Sequence, residues 1–156
     1  MGPAGSGKTT VGELLAAQLK CEFADADNFH SPANIEKMSR GVPLTDEDRI
    51  PWLHSLRAAM LQWESQRRNV VLACSALKRS YRELLQINSS VKLVYLKGSF
   101  ELLRGRLRAR KGHYAGEKIL AGQFADLEEP ANAITIDAAQ SPEQIVAEIR
   151  KRLRLV

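Results

Sequence analysis

A glycine-rich segment near the start of the chain constrains the fold more than any other feature of the sequence. Residues 2–9 run Gly-Pro-Ala-Gly-Ser-Gly-Lys-Thr, and apolar residues at helical spacing predict a helix over residues 8–19 directly afterwards. Loop glycines let backbone N–H groups face a phosphate, and the helix N-terminus adds a partial positive charge at the same place. The segment therefore predicts a binding site for the phosphates of a nucleotide.

Individual residues of this loop have separate predicted roles. The Lys8 ammonium can reach the β- and γ-phosphates of ATP, which makes it a candidate catalytic group, and the Thr9 hydroxyl can ligate Mg²⁺. The alternative is a glycine-rich turn that only begins an ordinary helix, and it is disfavoured because every defining position of the motif is filled. The residues expected to bind the nucleotide are Gly2, Pro3, Ala4, Gly5, Ser6, Gly7, Lys8, Thr9 and Thr10.

The rest of the chain alternates strand-sized apolar segments with helical patterns. Strands are predicted at residues 21–24, 70–74, 91–96 and 133–136. Helices are predicted at residues 32–41, 45–66, 81–86, 100–110 and 142–153. Pro51 is expected to kink or divide the longest of them. This alternation predicts one α/β domain over residues 1–156, of the P-loop nucleoside triphosphate hydrolase fold, with helices on both faces of a parallel sheet.

One element of that fold has no counterpart in the sequence. An apolar strand is expected before the glycine loop, at the centre of the sheet, but only Met1 precedes Gly2. A sheet without this strand would leave backbone hydrogen-bonding groups of the neighbouring strands unpaired. We therefore expect the natural chain to carry about five or more residues upstream, or to start elsewhere, because a strand needs roughly that length.

Two aspartates follow the strand predicted at residues 21–24. Because ligands of a parallel sheet bind beyond the carboxyl ends of its strands, Asp25 and Asp27 should lie near Lys8. We expect Asp27 to orient and deprotonate an acceptor hydroxyl, and Asp25 to hold a Mg²⁺-bound water. The alternative is that one of the two only caps the turn before His30.

Other motifs separate the possible classes of nucleotide-binding protein. No Asn-Lys-x-Asp guanine signature occurs anywhere in the sequence. The apolar strand at residues 70–74 ends at Ser75, without the acidic residue of the usual Walker-B site of switches and motors. Both observations favour a kinase.

Basic residues concentrate before Gly112, in a segment of lid-like composition at about residues 106–130. Arg106 and Arg110 are four residues apart on the predicted helix, so both guanidinium groups can point in one direction. We expect these two arginines to act in catalysis by stabilising charge on the transferring phosphoryl group. A solvated basic helix face is the alternative for any one of Arg104, Arg106, Arg108, Arg110 and Lys111.

Composition argues against several other classes of protein. Lys and Arg total 23 against 18 Asp and Glu, but aromatic residues make up only 6% and do not interleave with the basic clusters, which disfavours nucleic-acid binding. The longest apolar runs are far shorter than the roughly 18 residues that span a bilayer, so we expect no membrane association and a cytoplasmic location. Cys21 and Cys74 lack the spacing of a zinc site or a disulfide framework.

Several longer segments carry a family resemblance. They are Asp-Ala-Asp-Asn-Phe-His at residues 25–30, Asn34 with Lys37-Met38, Gly-Val-Pro-Leu-Thr-Asp-Glu-Asp-Arg-Ile-Pro-Trp-Leu at residues 41–53, Cys-Ser-Ala-Leu-Lys at residues 74–78, Tyr81-Arg82, Arg-Lys-Gly-His at residues 110–113, Gln123-Phe124, Leu127-Glu128 and Pro130. Over nearly its whole length the chain resembles the gluconokinases of the small P-loop type, which are related to shikimate kinase and adenylate kinase. The resemblance implies phosphorylation of D-gluconate at its terminal hydroxyl with ATP and Mg²⁺, giving 6-phosphogluconate and ADP. It also implies an acceptor-binding segment at about residues 28–66.

The resemblance further implies which residues contact the acceptor. By analogy with shikimate kinase, whose substrate is also a hydroxylated acid, Arg49 is expected to bind the carboxylate, with Lys78 or Arg82 assisting. The full set of implied substrate contacts is Asp27, His30, Arg49, Ser75, Lys78, Arg82 and Gln123. Alternatives are an ion pair within the helix for Arg49 and a hydrogen-bonded structural role for His30 or His113.

Two rival functions stay open at this level. One is a P-loop kinase for another hydroxylated acid such as shikimate, and the other is a regulatory module that binds ATP and turns it over slowly. Dimers are usual among the proteins that the chain resembles, so a homodimer is expected.

Overall fold

The computed structural model describes residues 1–110 and 114–155, and this part of the chain contains four strands and seven α-helices. The strands are β1 (Glu22–Asp25), β2 (Val70–Ala73), β3 (Val94–Lys97) and β4 (Ile134–Asp137). The helices are α1 (Lys8–Leu19), α2 (Pro32–Ser39), α3 (Asp46–Ser65), α4 (Arg79–Leu85), α5 (Phe100–Ala109), α6 (Tyr114–Asp126) and α7 (Pro142–Arg152), and a 3₁₀ turn occupies Ala26–Phe29. None of these helices is long and apolar enough to cross a membrane.

The strands form two parallel pairs that meet at the start of the chain. β1 pairs with β2, and β3 pairs with β4. Met1 lies beside β3, because its ammonium donates to the Val94 carbonyl at 2.6 Å and its carbonyl accepts from the Leu96 N–H at 3.0 Å. The Gly2 N–H donates in turn to the Ser75 carbonyl, just after β2, at 3.3 Å. The glycine loop therefore begins between the two pairs, and the strand expected upstream stays a prediction.

Helices cover both faces of the strands, as the sequence predicts. On one face, α1 and α7 enclose an apolar cluster of Val11, Leu15, Leu96, Ile136, Ala138, Ile145, Val146 and Ile149. On the other face, α3 and α4 enclose a second cluster of Ala26, Trp52, Leu53, Leu56, Cys74, Ala76, Tyr81 and Leu85. Consecutive residues Val71 and Leu72 of β2 pack against the first and the second cluster respectively, because side chains alternate along a strand.

Helix α3 runs without interruption through Pro51, so the proline does not divide it. A capping box starts the helix: the Thr45 hydroxyl accepts from the Asp48 N–H at 3.1 Å, and the Asp48 carboxylate accepts from the Thr45 N–H at 2.9 Å. Directly after the proline, Trp52 and Leu53 are only 4% and 1% exposed. The capping box before the proline and the tertiary packing after it therefore keep the helix intact despite the missing N–H.

A third apolar cluster joins α5 and α6 beside the glycine loop. Its buried members are Leu103, Leu107 and Leu120. Phe100 on α5 meets Phe124 on α6 edge to face, with ring centroids 5.4 Å apart. Ala4 packs against the same cluster, so α6 lies alongside the loop.

Candidate active site

A cleft of about 380 Å³ opens where β1 and β2 end. Its lining comes from the glycine loop, the residues after both strands, the start of α3, and helix α6. The charged and polar residues of this lining are Lys8, Thr9, Thr10, Asp25, Asp27, His30, Arg49, Ser75, Arg110, Gln123 and Asp126. Among the residues predicted from the sequence to act in catalysis or to bind the acceptor, Lys78, Arg82 and Arg106 lie outside this lining.

The glycine loop has a conformation that depends on its glycines. Gly5 and Gly7 have φ angles of 81° and 96°, in the left-handed region that favours glycine. A Cβ atom at Gly5 would lie 3.1 Å from the Leu103 carbonyl oxygen, so α5 leaves no room for a larger residue. Ala4, Gly5, Gly7, Lys8, Thr9 and Thr10 line the cleft, whereas Gly2, Pro3 and Ser6 are buried and do not.

Lys8 is a half-buried cation at the end of this loop, where α1 begins. Its ammonium donates to the Pro3 carbonyl at 3.0 Å. Burial lowers the pKa of Lys8, and the negative charge of Asp27 opposes that shift. A buried ammonium is costly without a negative partner, and the phosphates of a nucleotide would provide one.

Asp25 combines both roles that its position suggests. One carboxylate oxygen accepts from the Asp27 N–H at 2.9 Å and so caps the 3₁₀ turn, while the other accepts from the Thr9 hydroxyl at 3.3 Å. Thr9 and Asp25 therefore offer two neighbouring oxygen atoms at the start of α1. Oxygen atoms of this kind are the ligands that Mg²⁺ prefers.

Asp27 lies two residues after Asp25 and also lines the cleft. Burial raises the pKa of Asp27, the neighbouring Asp25 carboxylate adds to the rise, and Lys8 opposes it. A carboxylate with a raised pKa accepts a proton more readily, which suits a general base.

His30 and Trp52 form a stacked pair on the acceptor side of the cleft. Their ring centroids are 4.3 Å apart and the rings are inclined by 13°. The Trp52 indole N–H donates to the Ala26 carbonyl at 2.7 Å, and this hydrogen bond fixes the position of the indole ring. Burial, together with the nearby Arg49 cation, lowers the pKa of His30 to about 4, so its ring is neutral near pH 7.

Arg49 is the cation of the acceptor side. Its guanidinium donates to the Tyr81 hydroxyl at 3.0 Å and lies 3.7 Å from the Asp126 carboxylate of α6. It also lies 3.9 Å from Asp46, three residues earlier on α3. The ion pair within the helix is thus present, but it is the longest of these contacts. The side chain is 16% exposed, and the exposed part lines the cleft.

Lys78 is held beside the cleft by Asp46. Its ammonium donates to both carboxylate oxygens of Asp46, at 2.9 and 3.2 Å. The same carboxylate accepts a hydrogen bond from the Tyr81 hydroxyl. Lys78 and Tyr81 therefore neutralise and position Asp46, next to Arg49. Lys78 does not line the cleft, so its position does not support the predicted contact with substrate.

Arg82 has a structural position, in contrast to the substrate contact expected from the resemblance. Its guanidinium donates to the carbonyls of Ala76 and Leu77 at 2.8 and 2.9 Å, and to the carbonyl of Glu128 at 2.7 Å. The residue is only 8% exposed. Because these carbonyls use its donors, Arg82 fastens the loop after β2 to the segment after α6.

We expect Arg82→Met to lower the free energy of unfolding by about 2 to 3 kcal/mol, because two buried carbonyls and one partly buried carbonyl lose a charged donor. Arg79→Met on the same helix is the matched control, since that side chain is 79% exposed. Urea unfolding followed by circular dichroism measures both variants. Equal midpoints for the two variants would remove the structural role assigned to Arg82.

The two arginines predicted to act together are separated by the end of helix α5. Arg106 donates to the Gly5 carbonyl at 3.2 Å and to the Ala138 carbonyl at 2.5 Å, so it links the glycine loop to the segment after β4. Arg110 lies one residue beyond the helix with extended backbone angles, φ −82° and ψ 123°, and lines the cleft. The helical spacing on which the prediction for these two guanidinium groups depended therefore does not apply to Arg110. The following residues of the predicted lid, 111–113, lie outside the described part of the chain.

Helix α6 forms one wall of the cleft. The Gln123 amide oxygen accepts from the Ala4 N–H at 2.7 Å, and Asp126, three residues further on, faces Arg49. One helix thus contacts both the glycine loop and the acceptor-side cation. Ser75 lines the cleft after β2.

Sequence reasoning missed three residues of this arrangement. Trp52 is one helical turn after Arg49, and Asp126 is one turn after Gln123, so helical spacing from a predicted site residue could have indicated both. Asn34 belongs to a segment that resembles the family, and its side chain bonds His30. Only its tertiary contacts distinguish it from an ordinary polar residue of α2.

A phosphate-binding loop, a carboxylate pair and an opposing cation in one cleft define the class of protein, a P-loop kinase for small molecules. A family model described as "Shikimate kinase" matches residues 4–154. The chain is 42% identical to a "Probable gluconokinase" of Mus musculus, over 99% of this chain and 95% of that protein. It therefore belongs to the shikimate kinase family and, within it, to the gluconokinases.

Solved structures agree with this placement. An unliganded sugar kinase from Janibacter sp. HTCC2649 is 42% identical and superposes with a TM-score of 0.91, covering 100% of this chain and 92% of that one. A gluconokinase from Sinorhizobium meliloti 1021 is 38% identical with a TM-score of 0.82, covering 99% and 93%. The chain thus has the P-loop kinase fold throughout its described length.

Proposed function

We propose that this protein transfers the γ-phosphoryl group of ATP to the terminal hydroxyl of D-gluconate, giving 6-phospho-D-gluconate and ADP. The observation that carries the proposal is one cleft lined by a phosphate-binding lysine, Lys8, a carboxylate, Asp27, and a separate cation, Arg49. A hydroxylated acid needs a base at its reacting end and a cation at its carboxylate. The names of the relatives, gluconokinases of mouse and of Sinorhizobium meliloti, support gluconate as that acid.

On the donor side, the backbone N–H groups of the loop and the Lys8 ammonium bind the phosphates of ATP. Thr9 and Asp25 are the residues that would hold Mg²⁺, since their oxygen atoms lie together at the start of α1. Bound Mg²⁺ neutralises charge on the phosphate oxygens. Arg110, at the edge of the cleft, adds a second cation toward the transferring group.

On the acceptor side, Asp27 accepts the proton of the terminal hydroxyl. The hydroxyl oxygen bonds to the γ-phosphorus as the bond between this phosphorus and ADP breaks. Arg49 binds the gluconate carboxylate in place of Asp126, which lies 3.7 Å from it in the structure. The acceptor site extends over about residues 28–66 and the lid over about residues 106–130. Helix α6 of that lid contacts both ends of the cleft through Gln123 and Asp126.

A coupled assay of ADP release with gluconate, with shikimate and without acceptor tests the proposal. We expect release that depends on gluconate. If ADP release depended on shikimate and not on gluconate, the protein would still be a kinase but its acceptor would be shikimate. Equal release in all three reactions would indicate a module that binds ATP and turns it over slowly. A cytoplasmic location and a homodimer stay predictions from the sequence.

Arg49→Ala should raise the KM for gluconate about 10- to 100-fold and leave the KM for ATP nearly unchanged, because a charge-assisted hydrogen bond is worth about 1.5 to 3 kcal/mol. D-glucitol, which has the same hydroxyl chain without the carboxylate, is the matched control acceptor. Steady-state kinetics should show that the substitution matters much less for D-glucitol. Equal effects on both acceptors, or on gluconate and ATP alike, would exclude a carboxylate contact.

A further inference from the structure

The hydrogen bonds of Asn34 determine which nitrogen of His30 carries the proton. The Asn34 side-chain nitrogen donates to the Asp48 carbonyl at 2.9 Å and lies 3.3 Å from Nδ1 of His30. A backbone carbonyl only accepts, so the nitrogen, and not the oxygen, of the amide must be at this position. An amide nitrogen only donates, so Nδ1 of His30 must accept. The proton of the neutral imidazole therefore resides on Nε2.

We propose that Asn34 is a positioning residue that holds His30 as the neutral Nε2–H tautomer, and that this N–H donates to a hydroxyl oxygen of the acceptor. The second half of this proposal rests on the proposed function. Neither residue contacts the phosphoryl group in this arrangement, so the pair acts on the choice and orientation of the acceptor.

The surroundings of His30 support a single fixed orientation. The ring stacks on Trp52, which is itself anchored to the Ala26 carbonyl. The His30 backbone N–H donates to the Asp27 carbonyl at 3.3 Å, which places the histidine one turn from the candidate base. Asn34 is only 6% exposed, so its bond to the ring is protected from water.

The charges around the ring keep it neutral in the substrate-free protein. Burial and the positive charge of Arg49 both disfavour the imidazolium, and the pKa of His30 falls to about 4. Arg49 is thus the group for a carboxylate, while His30 offers one uncharged donor. A site built to donate to one hydroxyl oxygen rejects an analogue that lacks this oxygen, because the buried N–H is then left without a partner.

The tautomer can be measured directly by two-dimensional ¹H–¹⁵N correlation of the histidine side chains in the substrate-free protein. The sequence contains three histidines, and His30→Phe assigns the signals of residue 30 while keeping an aromatic ring on Trp52. We expect the Nε2–H pattern at pH 6 to 8. A predominant Nδ1–H pattern, or an imidazolium in this range, would overturn the proposal whatever the activity of the enzyme.

Asn34→Asp tests the positioning role, because a carboxylate accepts and cannot donate to Nδ1. We expect the His30 signals to change to the Nδ1–H tautomer and the pKa of His30 to rise, since the new carboxylate favours the imidazolium. Signals of the exposed His54 should stay the same and serve as an internal reference. An unchanged His30 tautomer in a folded Asn34→Asp protein would contradict the role of Asn34.

Kinetics test the contact with the acceptor. Asn34→Asp should raise the KM for gluconate about tenfold with little change in the KM for ATP, as expected for loss of one hydrogen bond. In a panel of monodeoxy gluconates, one analogue should be a poor substrate for the native protein and should lose that disadvantage in His30→Phe. If no analogue behaves so, the acceptor contact is wrong. If gluconate is no substrate at all but the Nε2–H tautomer is present, the proposed acceptor fails and the role of Asn34 stands.

Discussion

Asp27→Asn is expected to lower kcat by about 10²-fold or more while ATP binding is retained, because removing a positioned general base usually costs about 10² to 10⁴ in rate. The substitution keeps the shape of the side chain and removes its capacity to accept the hydroxyl proton. It also removes a negative charge that partly stabilises the buried Lys8 ammonium. The measurements are single-turnover phosphoryl transfer and the affinity for ATP.

Asp25→Asn is the matched control for this prediction. Since Asp25 contacts Thr9 and not the acceptor hydroxyl in the proposed arrangement, its substitution should raise the Mg²⁺ concentration needed for half-maximal rate. Asp27→Asn should not change that requirement. Near-normal turnover of Asp27→Asn would exclude Asp27 as the base.

The pH profile gives a second test of Asp27. The base must be ionised to act, so kcat/KM should fall as the pH drops through its pKa. Because burial and Asp25 raise the pKa of Asp27, this fall should begin above the usual range for aspartate. The remaining activity of Asp27→Asn should lack that acidic limb.

Lys8→Met is expected to lower kcat by about 10²- to 10³-fold, the usual cost of removing one electrostatic contact to the transition state. Methionine fills a similar volume and removes a buried charge, so the fold should persist. Lys20→Met is the control and should retain full activity, because Lys20 is exposed and caps the opposite, C-terminal end of α1. A rapid-quench assay with labelled ATP measures both, and equal rates for the two variants would remove Lys8 from the phosphoryl-transfer step.

The donor side of the site is readable from sequence because it is built from local geometry. A glycine loop that leads into a helix needs particular residues at adjacent positions, and the aspartates follow directly after a strand that ends at the same edge. The predicted positions of Lys8, Thr9, Asp25 and Asp27 therefore agree with their places in the cleft, and their roles stay predictions. Tertiary contacts only add the pKa shifts.

The arginines show where such reasoning stops. Arg106 and Arg110 are four apart, but α5 ends at Ala109, so helical spacing does not apply to Arg110. Arg82 is buried among carbonyls from two distant segments, and its sequence neighbours give no indication of them. Helix boundaries and long-range hydrogen bonds decided which arginines line the cleft.

The acceptor wall depends on contacts across the fold in the same way. Asp46 binds Lys78 and the Tyr81 hydroxyl, which follow it by more than thirty positions in the sequence, and Lys78 does not line the cleft. Asp126 lies on α6, and its carboxylate is 3.7 Å from the Arg49 guanidinium. Such pairs have no local pattern, and only the packed structure shows them.

The site of phosphorylation on gluconate is the most direct test of the proposed reaction. Gluconate, ATP and Mg²⁺ are incubated with the protein, and the product is examined by ³¹P–¹H correlation spectroscopy. We expect one phosphate monoester coupled to the CH₂ protons of the terminal carbon, in an amount equal to the ADP formed. Inorganic phosphate in place of the ester, or an ester coupled to a CH proton along the chain, would contradict transfer to the terminal hydroxyl.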